Sequence, residues 1–225
     1  MLDEPLGLTV HALPSPEQAG QAARRTVQGR WRMLVLAAVC AAPIVASYFS
    51  YYVVRPEGRP NYGELIEPQR PLPPITATAL DGKPVSLAAL RGQWLLLSVG
   101  SGGCDTACEK HLYLQRQLRE SLGKEKDRVD WVWLLPDQAP VRPALLPALS
   151  QATVLRLPGE QLAGWLPPAP GHGLQEHLYL VDPLGNLMLR FPAALDTASA
   201  PQAKRDLDRL MRASAGWDKP GRELR

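Results

Sequence analysis

Residues 94–108, WLLLSVGSGGCDTAC, decide the reading of this chain. Trp94–Val99 is a near-continuous apolar run, the pattern of a strand buried on both faces. Gly100-Ser101-Gly102-Gly103 ends it as a loop, and Cys104 follows at once. From Asp105 to Leu122, Leu112, Leu114, Leu118 and Leu122 recur among charges, which predicts an amphipathic helix closed by Gly123. A buried strand that turns directly into a helix is where α/β sheets place their chemistry. The helix start also offers free N–H groups and a positive dipole end, both of which stabilise a thiolate.

Cys104 and Cys108 stand at i and i+4, on one face if both are helical, with Cα atoms about 6 Å apart. That spacing is within disulfide reach. It equally lets two thiolates clamp one soft ion, and Cu(I) prefers thiolate ligands. An inert structural disulfide is a third reading, but so short a loop gives little stabilisation. In a redox role, Cys104, taken as the more exposed sulfur, would attack and Cys108 would resolve. Cys40 is the remaining cysteine of three, too few for a disulfide framework.

Upstream, Met33 to Val54 (MLVLAAVCAAPIVASYFSYYVV) carries no charge and is long enough to cross a ~30 Å hydrocarbon core. Trp31 at one end and Tyr48, Tyr51 and Tyr52 at the other suit the two interfaces. Arg24, Arg25, Arg30 and Arg32 precede the run, and Arg55 and Arg59, offset by Glu57, follow it. The positive-inside rule then puts residues 1–32 in the cytoplasm and the rest outside. A cleaved signal peptide would be shorter and end in small residues. A lipid on Cys40 fits poorly, because Val39 precedes it and the apolar run continues; Cys40 reads as a membrane-buried hydrophobe.

The expected organisation is a cytoplasmic segment (1–32), a transmembrane helix (33–54), a proline-rich tether (55–74), a domain (75–214) and a tail (215–225). Residues 1–22 lack periodicity and read as loosely held. The 23 prolines, about twice the usual ~5% usage, call for much loop or extended chain. A formal charge of +3 and the lack of any basic stripe interleaved with aromatics argue against nucleic acid as a partner.

Within the domain, Ile75–Leu80 and Pro84–Ser86 flank the Asp81-Gly82 turn, and Ser86–Leu90 makes a helical turn. Val129–Leu135 (VDWVWLL) is a second core strand, and Thr153–Leu157 a short one. A helical turn follows at Leu162–Leu166. His177–Val181 and Asn186–Phe191 form a hairpin around Asp182-Pro183-Leu184-Gly185. Pro201–Ser214 carries Leu207, Leu210 and Met211 at helical spacing. The fold class is therefore α/β: a thioredoxin-like central mixed sheet flanked by helices, preceded by one transmembrane helix.

From Ile75 to Phe191 the chain resembles the Sco/SenC family of membrane-tethered, thioredoxin-like cytochrome oxidase assembly proteins. The matching pieces are Asp81-Gly82-Lys83-Pro84-Val85-Ser86-Leu87, Leu90-Arg91-Gly92 with WLLLSV, the Cys104/Cys108 pair, Leu135-Pro136-Asp137, and Tyr179-Leu180-Val181-Asp182-Pro183-Leu184-Gly185. The resemblance implies that Cys104 and Cys108 bind copper, or cycle as a dithiol, in building an oxidase's copper centre. The partner would be an oxidase subunit or another copper or thiol protein, and the domain would lie in the periplasm at the inner membrane. The family usually has proline after each cysteine; here Asp105 and Glu109 follow. Its third copper ligand, a histidine, falls at Leu174. His172 is the favoured substitute, with His177 the alternative, and His177 also reads as an ordinary strand histidine. His111, three residues past Cys108, reads as solvent-facing, though as a cation it would depress a cysteine pKa. His11 lies on the cytoplasmic side, away from the site. Three functions stay open: copper delivery, metal-free thiol–disulfide exchange, and a non-catalytic assembly factor with a degenerate site.

Overall fold

A computed structural model describes residues 16–54 and 61–218. His11, Arg55, Glu57, Arg59 and the tail beyond Asp218 lie outside the described residues. The chain divides into two compact units between Arg59 and Pro60.

In the first unit, helix α1 (Pro16–Phe49) continues into a short π-helical stretch, Ser50–Val54. It begins within the segment expected to be loosely held. The physical reason is local: Pro16 takes the first helical position, and the Ala, Gln and Arg that follow are strong helix formers. Residues 29–53 form the one helix among the described residues long and apolar enough to cross a membrane. Met33, Leu34, Leu36, Val39, Ile44 and Val45 are all exposed on it, as a lipid-facing surface would be. Pro43 sits inside it.

The second unit is an eight-stranded mixed sheet. Its strands are β1 (Glu64–Pro71), β2 (Thr76–Ala79), β3 (Pro84–Ser86), β4 (Trp94–Val99), β5 (Val129–Leu135), β6 (Thr153–Arg156), β7 (Tyr179–Val181) and β8 (Asn186–Arg190). Their order across the sheet is β1-β8-β7-β4-β5-β6-β2-β3. β4, β5 and β6 run parallel, and β7 lies antiparallel on the other side of β4. Helices α2 (Thr106–Glu120), α3 (Gly159–Trp165) and α4 (Ala200–Ala213) complete the unit.

Every residue of β4 is buried, because its two faces serve two cores. Leu95, Leu97 and Val99 join Leu87, Leu90, Val132, Leu134, Leu162 and Trp165 on one face. Trp94 and Leu96 join Leu114 and Leu118 of α2 and Leu207 and Met211 of α4 on the other. Each such leucine, at about 1.5–3 kcal/mol of burial, holds the centre of the sheet rigid beneath the cysteine pair.

Residues 64–71 were expected in the tether, yet they form β1, an edge strand paired antiparallel with β8. Pro68 and Pro71 disguise it in sequence, since proline weakens a ladder; an edge strand tolerates them where no partner N–H is needed. The folded unit is fastened still earlier, where Asp206 of α4 accepts the N–H groups of Tyr62 (2.7 Å) and Gly63 (2.9 Å). At the far end, Asp218 chelates the buried guanidinium of Arg128, at 2.7 Å to Nε and 2.5 Å to Nη2. The start of the expected tail is thereby anchored.

Candidate functional site

The loop from β4 brings Cys104 and Cys108 to the start of α2. Asp105 caps that helix, its carboxylate accepting the Cys108 N–H at 2.9 Å. The residue that departs from the family's proline thus satisfies a helix-end donor and places charge at the favourable pole. Cys104 precedes the cap and is not helical: its φ is +30°. A side chain in that left-handed region costs about 1–3 kcal/mol and persists only where neighbours impose it. Here the Cys104 N–H donates to Ser101 O at 3.0 Å, and Arg142 Nη1 donates to Cys104 O at 2.7 Å.

The two cysteines are joined as a disulfide, with Cα atoms 5.2 Å apart. Cys104 is 1% exposed and packs with Leu112, Trp131, Trp133 and Leu149, whereas Cys108 is half-buried. The accessibility expected of the two sulfurs is therefore reversed. Burial follows from the left-handed turn, which tucks Cys104 beneath the loop that carries Arg142. Gly100 lies directly under Cys108: a Cβ there would stand 3.3 Å from the sulfur and 3.0 Å from the Trp133 ring nitrogen.

Asp137, just after β5, organises the loop above. Its Oδ1 accepts the N–H groups of Gly102 (3.1 Å) and Ala139 (3.2 Å). Burial alone would raise its pKa, but those bonds, one from the Ser101 hydroxyl and the nearby Arg156 hold it below the usual value. Gly102 runs so close to the strand-end loop that a Cβ would fall 2.1 Å from Ala139 O. Sequence marked Gly102 only as part of the loop before Cys104 and did not mark Arg142; both act through backbone distant in sequence.

The histidines sit apart from one another in role. His177 is completely buried, its Nδ1–H donating to Phe191 O (2.9 Å) and its Nε2 accepting the Ala169 N–H (3.1 Å). One accepting and one donating nitrogen call for the neutral ring, and burial, aided by Arg190, lowers its pKa. His111 is half-buried rather than solvent-facing, donating from Nε2 to His177 O at 3.2 Å, and burial lowers its pKa as well. His172 is exposed and pairs with Glu176 at 2.7 Å. Among the described residues no group of three or more His, Cys, Asp or Glu side chains is arranged to hold a metal ion. A three-ligand copper centre does not fit the side chains as they stand, because both nitrogens of His177 are committed and both sulfurs are bonded to each other.

A strand–loop–helix with a paired cysteine at the helix start, on a mixed sheet with helices on both faces, defines a thioredoxin-like protein. The family described as transmembrane-like, thioredoxin-like, C-terminal domain matches residues 94–214, and the chain belongs to it. No curated protein matches it by sequence. Among solved structures, Sco/SenC proteins share the fold. Apo Sco1 from Thermus thermophilus is 19% identical, with a TM-score of 0.50 over 68% of this chain and 96% of that one. BsSco, described as a member of the Sco family of cytochrome c oxidase assembly proteins with a disulfide switch, is 17% identical, with a TM-score of 0.51 over 68% of this chain and 98% of that one. Copper-bound ScoI from Arabidopsis thaliana is 17% identical, with a TM-score of 0.50 over 63% of this chain and 98% of that one.

Proposed function

We propose that this chain is a membrane-anchored thiol–disulfide exchange protein whose working group is the Cys104–Cys108 pair. The observation that carries the reading is the disulfide itself, set at the start of α2 with Cα atoms 5.2 Å apart. An incoming thiolate meets the half-buried Cys108, the S–S bond breaks, and Cys104 leaves as a thiolate into the positive end of α2. The cation excess at Arg24, Arg25, Arg30 and Arg32 supports an orientation with the amino end in the cytoplasm and the domain in the periplasm of the inner membrane. The partner in this reading is an oxidase subunit or another copper or thiol protein.

Copper delivery is the second reading, favoured by the fold shared with copper-bound ScoI. Cu(I) would then be cargo, taken up by the two thiolates after reduction. Of the histidines, His172 is exposed and held by a surface pair with Glu176, whereas His177 is buried and locked by two hydrogen bonds.

The test uses the full chain in detergent micelles, equilibrated in glutathione buffers and trapped by alkylation. Reversible interconversion of the dithiol and the disulfide, abolished in Cys104→Ala and Cys108→Ala, is the expected result. A pair that no thiol reductant opens while the domain stays folded sinks the proposal. Cu(I) titration of the reduced chain, with His172→Ala beside it, decides whether copper is cargo: only stoichiometric, tight uptake supports that reading.

A further inference from the structure

We infer that Arg142 is a positioning residue for the Cys104–Cys108 pair, a role that rests on the redox reading above. Arg142 comes from the connection between β5 and β6, far in sequence from both cysteines. Its Nη1 donates to Cys104 O at 2.7 Å and pairs with Glu109 Oε1 at 2.5 Å. One guanidinium therefore grips the residue that carries one sulfur and the neighbour of the residue that carries the other. Both contacts come from Nη1, whose two N–H groups point in fixed directions within the guanidinium plane, whereas lysine offers a point charge.

The grip acts where the backbone needs it. Cys104 sits at φ +30°, a conformation an L side chain leaves unless held. The Arg142 bond fixes the carbonyl of that residue, and the Ser101 carbonyl fixes its N–H. Glu109 would otherwise present an unpaired negative charge one residue from Cys108; the ion pair balances it. With both ends held, the two sulfurs keep a high effective concentration toward each other, which favours the closed disulfide.

The exchange being tuned is balanced as follows. A glutathione thiolate attacks Cys108 Sγ, the Cys104–Cys108 bond breaks, and Cys104 leaves as a thiolate that takes up a proton. A second glutathione thiolate then attacks the mixed disulfide and releases Cys108. The products are one glutathione disulfide and a protein dithiol, with two electrons passed from glutathione to the protein.

The experiment measures the glutathione equilibrium constant of the full chain in detergent micelles, for the native protein, Arg142→Ala, Arg142→Lys and Glu109→Gln. Thermal unfolding of each reduced form is followed alongside. In Arg142→Ala the constant for closing the disulfide is expected to fall about tenfold, which a two-electron couple reads as about 30 mV. Arg142→Lys is expected to recover part of the loss, and Glu109→Gln to shift the constant less, in the same direction. An unchanged constant in Arg142→Ala overturns the role, as does a lowered melting temperature with the constant intact. If Arg142→Ala does not fold, native constants in both Arg142→Lys and Glu109→Gln overturn it equally. A native chain that never exchanges with glutathione is a separate outcome: it removes the redox reading, and the role of Arg142 with it.

Discussion

His177 shows how one residue can look like a ligand in sequence and act as a brace in the fold. Complete burial and two hydrogen bonds require the neutral ring, and burial lowers its pKa from the ordinary value of 6.5. His111, lowered by the same cause, hangs from its carbonyl. The unfolded chain therefore binds more protons than the folded one once the pH drops below about 6.5. Stability is fully present above that value and declines below it, with a slope approaching about 1.4 kcal/mol per pH unit for each imidazole that stays neutral while its unfolded counterpart protonates. Asp137, whose pKa is lowered from 3.8, adds a loss only in more acidic solution. Urea unfolding between pH 7.5 and 5 should show the decline, and His177→Gln should flatten it. A flat profile in the native chain would show that the buried rings take up protons over the same pH range as in the unfolded chain.

The elements divide by whether their signal is local. β4, β5 and α2 carry period and burial in their own residues, and Trp94–Val99 and Val129–Leu135 are strands over the span read from sequence. The cysteine pair at the strand-to-helix turn was legible for the same reason. What was not legible depends on chain brought from afar. β1 is a strand because β8 needs an edge partner and Asp206 catches Tyr62 and Gly63. Gln115 of α2 looks like a surface glutamine, yet it is fully buried, taking Ser98 Oγ–H at 2.8 Å and donating to Leu96 O at 2.7 Å. The grip of Arg142 on Cys104 is another such long-range contact. β1 yields a direct prediction. A soluble fragment beginning at Ile75, the domain start suggested by the proline tether, should be less stable than one beginning at Pro60. It leaves the β8 edge unpaired and Asp206 without its two donors, and unsatisfied buried groups cost about 1–3 kcal/mol each. Chemical denaturation of the two fragments measures the gap, and equal midpoints would make β1 dispensable.

At the scale of the whole molecule, the proposed exchange role requires one fold in two covalent states, and the architecture bears on that requirement. The sheet is held by two apolar faces, with Leu95, Leu97 and Val132 on one and Leu96, Leu180 and Phe191 on the other, none more than 1% exposed. The disulfide lies at one rim, joining residues separated by 4 in sequence. Closing so short a loop restricts the unfolded chain little, and the chain-entropy relation gives about 2 kcal/mol. The Ser101 and Arg142 bonds that hold Cys104 at φ +30° are made to its backbone and not to its sulfur, so they serve the dithiol as well as the disulfide. Treatment with a phosphine reductant should therefore shift the urea midpoint modestly and leave the transition cooperative, with unchanged far-ultraviolet circular dichroism. A bond that holds the scaffold beyond this loop-entropy contribution behaves differently: its reduction removes most of the stability and unfolds the domain. Loss of cooperative unfolding on reduction would thus assign the pair to the scaffold and leave the site without a redox role. A small, reversible shift is what a domain built to cycle between dithiol and disulfide requires.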